Sequence, residues 1–364
     1  HRSMVRVTPA SINLDVISHI ANHLVHISDI VALLDALCLS RDDRFHIFSM
    51  LETIDLSKTS WSDISRWCHI ERSLDKIPLA SAVFPRLVHL KANLMRDWQE
   101  MDALVFVVLP PALRRLDIRF NASSEVDSWE LARAVCSAKH LTSLACPLGL
   151  IRKITHIAVG ETAFPCIIDV ECTMGSCHES DESVFFTDVF PHSVKSLEFC
   201  VCQLIEELPR LPPMLEHLDC VSCNYLRSFP PLPPSLKTLR CVCSDRSMKG
   251  LTRAPDELLP ACLQRIELMF CTWIESLPAV LPDALRELIL CELCKLTQLP
   301  PLLPAGLLLL DCRGCKLLTR LPSSVPPGLE YLNCTRTSIR QLPPIPNSVK
   351  RLHHNNINAP STDE

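Results

Sequence analysis

Twenty cysteines and fourteen histidines are the groups in this 364-residue chain best suited to hold a metal or attack a substrate. Three Cys-x-x-Cys pairs stand out: Cys220/Cys223, Cys291/Cys294 and Cys312/Cys315. A zinc site would need two such pairs converging on one tetrahedron. Cys172, Cys177 and His178 form a looser set beside Glu179, Asp181 and Glu182, which reads as a solvated loop. His19 and His23 share a helical spacing, but residue 20 is Ile, not the Glu of a zinc-protease helix. His353 and His354 fall near the end of the chain's last repeat. Only seven glycines occur, never in a phosphate-loop arrangement, and there is no Gly-x-Ser-x-Gly elbow. These residues point to no enzyme, no cofactor and no metal.

The cysteines make better sense as parts of a repeat. An aliphatic residue, a spacer and a second small apolar residue return thirteen times, often followed by Cys, Asn or Thr. The leading residues are Ile54, Leu90, Leu116, Leu144, Val170, Leu197, Leu218, Leu239, Ile266, Leu288, Leu310, Leu332 and Leu352. Such a period predicts a solenoid, in which stacking coils bury a stripe that one coil cannot bury alone. Cys220, Cys241, Cys312 and Cys334 lie two residues after the leader, where a strand side chain points inward. Cys202, Cys223, Cys271 and Cys315 lie five after it and Cys294 six after it, at the bend that ends the strand. Both places suit a small buried thiol. The Cys-x-x-Cys pairs therefore read as core positions.

The coils have two textures. From Leu90 to Leu197 the leaders are 26 to 28 residues apart, which leaves room for an outer helix. Asp127 to Val135 fits one, with Ser128 as cap and Leu131 and Val135 facing in. The coil around Val170 is the least regular. Later coils are mostly 20 to 22 residues long and carry Leu-Pro pairs such as Leu299-Pro300 and Leu321-Pro322, which predict extended outer segments. The 27-residue coil after Leu239 is expected to regain a short helix over 254–259. Ahead of the repeats, residues 9–53 read as three short amphipathic helices. The expected organisation is a helical domain over 4–53, a solenoid over 54–358 and a disordered tail over 359–364. His1-Arg2-Ser3 ahead of Met4 read as added residues.

A net charge of −5 with 36 basic and 41 acidic residues excludes nucleic acid or an anionic membrane as the main partner. Aromatics are 5%, too few for base-stacking platforms. No apolar run is long enough for a membrane span, and no secretion signal follows Met4. The expectation is an intracellular protein, cytoplasmic or nuclear, with reduced thiols.

The motif Leu-x-x-Leu-x-Leu/Cys-x-x-Cys/Asn resembles that of leucine-rich repeats. The resemblance implies an α/β solenoid: a horseshoe with a parallel concave sheet, here with an N-terminal helical cap. Thr337 and Ser244 depart from the motif where Cys or Asn is expected. The longer coils look like the cysteine-containing class of F-box proteins. The later ones, such as Leu281-Pro-Asp-Ala-Leu285, look like the Leu-Pro type of bacterial effectors. In the ubiquitin-ligase members of that type the catalytic Cys lies beyond the repeats, whereas here six residues follow Asn358.

The N-terminal segment resembles an F-box, carried by Leu14, Ile17, Ile20 and Leu24, then Ser28-Asp29-Ile30 and Leu33; the run Leu39-Ser-Arg-Asp-Asp-Arg departs from it. In that family such residues dock on a Skp-type adaptor of a cullin–RING ubiquitin ligase, which would make this chain a substrate-recognition subunit. The alternative is a plain protein-binding scaffold whose helices only seal the first coil. Either way the partner is a protein held on the concave face. The residues expected there are Arg115, Arg119, His217, Asp219, Arg240, Arg265, Glu267, Arg286, Leu308, Leu309, Arg313, Tyr331 and Arg351.

Overall fold

The computed structural model describes residues 21, 30, 32–34, 46–55, 85–94, 109–120, 129–158, 167–173, 190–201, 206–244, 251 and 259–355. The chain divides into two compact units, 1–167 with 175–177 and 168–174 with 178–364.

In the first unit four strands run parallel: β1 (Thr53–Asp55), β2 (His89–Leu94), β3 (Arg115–Phe120) and β4 (Ser143–Pro147). Ile54, Leu90, Leu116 and Leu144 stand in register. Helix α1 (Trp129–Ser137) lies between β3 and β4, as the spacing of Leu131 and Val135 requires, and both side chains are buried. A second helix, α2 (Leu148–Ala158), follows β4 directly, in one of the long coils whose length leaves room for a helix. It buries Leu150, Ile151 and Ile154. The two helices meet through the Trp129 ring, which receives the His156 ring edge-on at 5.5 Å and Lys153 Nζ at 5.6 Å. Residues 30, 32–34 and 46–49 are helical, and Ile30, Leu34, Ile47 and Phe48 are buried.

The second unit continues the same construction through nine parallel strands in sequence order: β5 (Asp169–Thr173), β6 (Ser196–Cys200), β7 (His217–Val221), β8 (Thr238–Val242), β9 (Arg265–Met269), β10 (Glu287–Cys291), β11 (Leu309–Asp311), β12 (Tyr331–Cys334) and β13 (Arg351–His354). Every leading aliphatic falls on a strand, and from Val170 to Leu352 each pairs with the next. At Val170, where the repeat is least regular in sequence, β5 pairs with β6 over five residues. Each unit folds as a leucine-rich-repeat solenoid, with parallel strands and leaders stacked at its core.

Two local devices repeat. The first is a Pro-x-x-Leu turn: the N–H of Leu215, Leu236, Leu263, Leu285, Leu307 and Leu329 donates to the carbonyl of the proline three residues earlier. Proline loses nothing there, because the turn asks for its carbonyl and not for an N–H. The leucine then drops into the core, fully buried in all six coils. The second follows six of the described strands. Val201, Ser222, Phe270, Glu292, Gly314 and Arg336 adopt a left-handed backbone, with φ from 56° to 73°. In this conformation the first five aim their N–H at a carbonyl of the next coil, at 2.7–2.9 Å. The inter-coil bonds offset the usual cost of left-handed non-glycine residues.

Candidate functional site

Parallel pairing with in-register leaders arranges the solvent side of the second unit in rows. One row holds the residue just before each strand: Lys195, Glu216, Lys237, Gln264, Arg286, Leu308, Glu330 and Lys350. The next holds the strand's first residue, from Ser196 and His217 to Tyr331 and Arg351. A third holds Glu198, Asp219, Arg240, Glu267, Ile289, Asp311, Asn333 and His353.

From β6 to β10 charged residues dominate these rows, and most of them pair with one another. Glu216 stands between two lysines, 3.0 Å from Lys195 Nζ and 2.5 Å from Lys237 Nζ. Hydrogen bonds from Lys237 and then Lys195 hold its carboxyl down to about 2. Arg240 bridges Asp219 at 2.7 Å and Glu267 at 3.2 Å. Arg265 bonds Glu267 at 2.6 Å and also pairs with Glu287. Burial pushes the Asp219 carboxyl up, against the pull of Arg240. His217 Nδ1 shares a 2.8 Å hydrogen bond with Thr238.

From β11 onward the same rows change chemistry. Leu308 is 43% exposed in the row that carries Arg286 on one side and Glu330 on the other. Leu309 and Tyr331 are neighbours in the next row, both half-buried. The Tyr331 ring lies 5.7 Å from that of His353, and Asn333 Nδ2 donates to its hydroxyl at 3.3 Å. Arg313 and Arg351 are exposed at the margins of this opening.

Most residues expected on the face are therefore brought together on one side of the second unit. Glu267 is an exception in kind: it is buried, and its carboxylate is taken up by two guanidinium groups. Arg286 is exposed and lies across the next coil, donating to the Gly306 carbonyl at 2.8 Å. A Cβ on Gly306 would collide with that guanidinium, so the glycine leaves Arg286 its path. Arg115 is exposed on β3 in the first unit; Arg119 is on β3, but its side chain lies outside the described residues.

Of the residues expected to dock an adaptor, Leu14, Ile17, Ile20 and Leu24 lie outside the described residues. So do His19, His23, the tail over 359–364 and, of the helix expected over 254–259, all but Leu259, which is not helical. Leu33 is half-buried. Ile30 is fully buried, so it fills the interior of the first unit and offers no surface for docking.

The Cys-x-x-Cys pairs do not converge. No disulfide joins the described cysteines. Cys220, Cys223, Cys312 and Cys315 are core residues, and the bend thiols face backbone carbonyls: Cys223 Sγ to Phe199 O at 3.5 Å, Cys315 Sγ to Leu290 O at 2.9 Å. Burial raises the Cys315 thiol to about 12. Cys172 sits buried in β5 and not in a polar loop; Cys177 and His178 lie outside the described residues. Sequence reasoning missed Cys243, which the repeat phase left unassigned.

No family model matches the chain, and no curated protein does. Solved structures do. YopM, a leucine-rich effector protein of Yersinia pestis, is 20% identical with a TM-score of 0.43 over 74% of this chain and 63% of its own. YopM of Yersinia enterocolitica is 22% identical with a TM-score of 0.38, over 75% and 51%. TLR13, solved in complex with ssRNA13, is 12% identical with a TM-score of 0.26, over 76% and 55%. The chain thus spans between half and two thirds of the length of these proteins. No helix among the described residues is long and apolar enough to cross a membrane.

Proposed function

We propose that this chain recognises a protein partner on the solvent face of β11–β13, with the charged rows of β6–β10 steering the approach. One observation carries the reading. Leu308, Leu309 and Tyr331 occupy outward rows that neighbouring coils fill with charges. Half-exposed aliphatic and aromatic side chains rimmed by arginine have the composition of a binding hot spot. The test is comparative affinity capture with the full chain as bait. A partner held by the native chain and by Leu302→Asp, an exposed site in the outer segment before β11, should be lost with Leu308→Asp. Equal capture by all three baits would sink the assignment.

The narrower role is substrate recognition for a cullin–RING ubiquitin ligase, with the helices of residues 9–53 on a Skp-type adaptor. What supports it is the F-box resemblance of Leu14 to Leu33. With Ile30 inside the first unit, the contact falls to Leu33 and the residues before Ile30. The full chain titrated with a purified Skp-type adaptor tests this separately. No binding at micromolar concentrations would remove the ligase role and leave the face-binding role standing.

A further inference from the structure

The place that follows each strand is left-handed in six coils, but in the coil of β8 it is Cys243, which does not take that conformation. Its N–H still reaches the next coil, donating to Met269 O at 3.0 Å. Its side chain is buried, where Val201 at the equivalent place is 48% exposed. The result is a convergence of thiols from three places: the interior of β8 (Cys241), the turn after it (Cys243) and the bend after β9 (Cys271). Cys243 Sγ lies 3.5 Å from Cys271 Sγ, and Cys271 Sγ lies 3.8 Å from Cys241 Sγ. All three sulfurs fall within 4.8 Å of one another, and all three residues are buried. No other set of three metal-type groups converges among the described residues.

These separations are too long for a disulfide, whose sulfurs sit about 2.05 Å apart. They match the spacing of ligands around one ion. Four sulfurs at about 2.3 Å from a tetrahedral centre stand roughly 3.8 Å from each other. Elsewhere the repeat directs its buried thiols at backbone carbonyls, as with Cys223, Cys312 and Cys315. Here Cys271 Sγ also lies near two carbonyls, Met269 O at 3.5 Å and Cys241 O at 3.6 Å, but in addition the sulfurs face each other.

We propose that Cys241, Cys243 and Cys271 form a three-thiolate site for a soft closed-shell cation, Cu(I) or Zn(II). On binding, each thiol releases its proton to solvent and forms one metal–sulfur bond, with no change of oxidation state. Thiolate donors select these ions over oxygen-seeking ones. Cu(I) is satisfied by three sulfurs in a plane, whereas Zn(II) would add a water as fourth ligand. The site would clamp the long coil between β8 and β9 from both ends.

The test uses the full chain, reduced and free of oxygen, titrated in separate arms with Cu(I) and Zn(II). One ion per chain should be retained, and its X-ray absorption should show a sulfur shell at about 2.2–2.3 Å. Three sulfurs alone identify Cu(I); three sulfurs and one oxygen identify Zn(II). Cys243→Ser places at this turn the residue that position 222 already carries. It should lower the affinity by at least about tenfold, since even changes outside the ligand set cost that much. Cys315→Ser should leave the affinity unchanged. Failure to retain either ion, a shell of nitrogen and oxygen, or unchanged affinity in Cys243→Ser would overturn the site. So would a Cys243–Cys271 disulfide in protein purified without reductant. If Cys243→Ser does not fold, the absorption spectrum of the native chain decides alone.

Discussion

The solvent faces of β6–β10 and β11–β13 share one backbone, one register and the same three rows, yet they do opposite things with water. In the first region two acids are each held between two bases, Glu216 by Lys195 and Lys237 and Glu267 by Arg240 and Arg265, while Asp219 pairs with Arg240 and Glu287 with Arg265. A partner pressed onto this surface would have to dehydrate pairs that already satisfy each other, which gains little. In the second region Leu308, Leu309 and Tyr331 have no such engagement, and covering them yields about 25 cal/mol per Å² of apolar surface. The difference teaches that the coil supplies geometry alone. Which rows bind and which merely stay soluble depends on a few outward side chains.

The comparison breaks most visibly from beneath. Leu310 is buried directly under the apolar opening, and Leu310→Ala should cost about 2–5 kcal/mol, read as a lowered urea midpoint. On the surface above it, Tyr331→Ala should leave the urea midpoint nearly unchanged. It should weaken the captured partner by about 2 kcal/mol, roughly 30-fold in Kd, by calorimetry. Arg227→Ala, at an exposed ion pair with Glu206, should change that affinity far less. The seam between the two regions is Gly314. Glu292 lies against it and reaches Arg336, two coils on from its own, at 3.0 Å. A Cβ at Gly314 would stand 2.5 Å from the Glu292 Cδ, on a backbone at φ +73°. Gly314→Ala should cost about 1–2 kcal/mol by thermal melting.

The smallest effect concerns acid. The Glu216 carboxyl is held below its unfolded value by Lys237 and Lys195. Its contribution is therefore complete above the ordinary range near about 4.3 and lost as pH falls toward about 2. Melting curves of the native chain and Glu216→Gln should differ above that window and converge within it. A gap that persists at pH 2 would show that the lysines act through packing and not charge.

Much of the fold was legible because a period of 20 to 28 residues repeats the same burial pattern. The thirteen leading aliphatics needed no tertiary information to be found. Helix α1 showed itself through Leu131 and Val135. Helix α2 did not, although Leu150, Ile151 and Ile154 carry its face, because a strand was due at Leu144 and nothing marked its end: Pro147 closes β4 and Leu148 already opens the helix. The outward rows follow from two-residue alternation, so the face residues could be named. Their pairings could not, since Arg240 meets partners 21 and 27 residues away through a register set by coil length. For the same reason Glu267 passed for a surface acid. Cys243 escaped altogether, because its turn breaks the left-handed pattern that its neighbours follow.

From Val201 through Gly314 the bond from the post-strand N–H to the following coil is made by the backbone alone, whatever side chain stands there. Such a joint is blind to which coil comes next. Removing the stretch from Leu288 through Leu309 would present the strand led by Leu310 to the strand led by Ile266 with the same donors and acceptors facing. Genes for proteins jointed in this way can shorten or lengthen by whole modules without a frame of adjustment at the splice, and a recognition surface can be reshuffled faster than point mutation alone would allow.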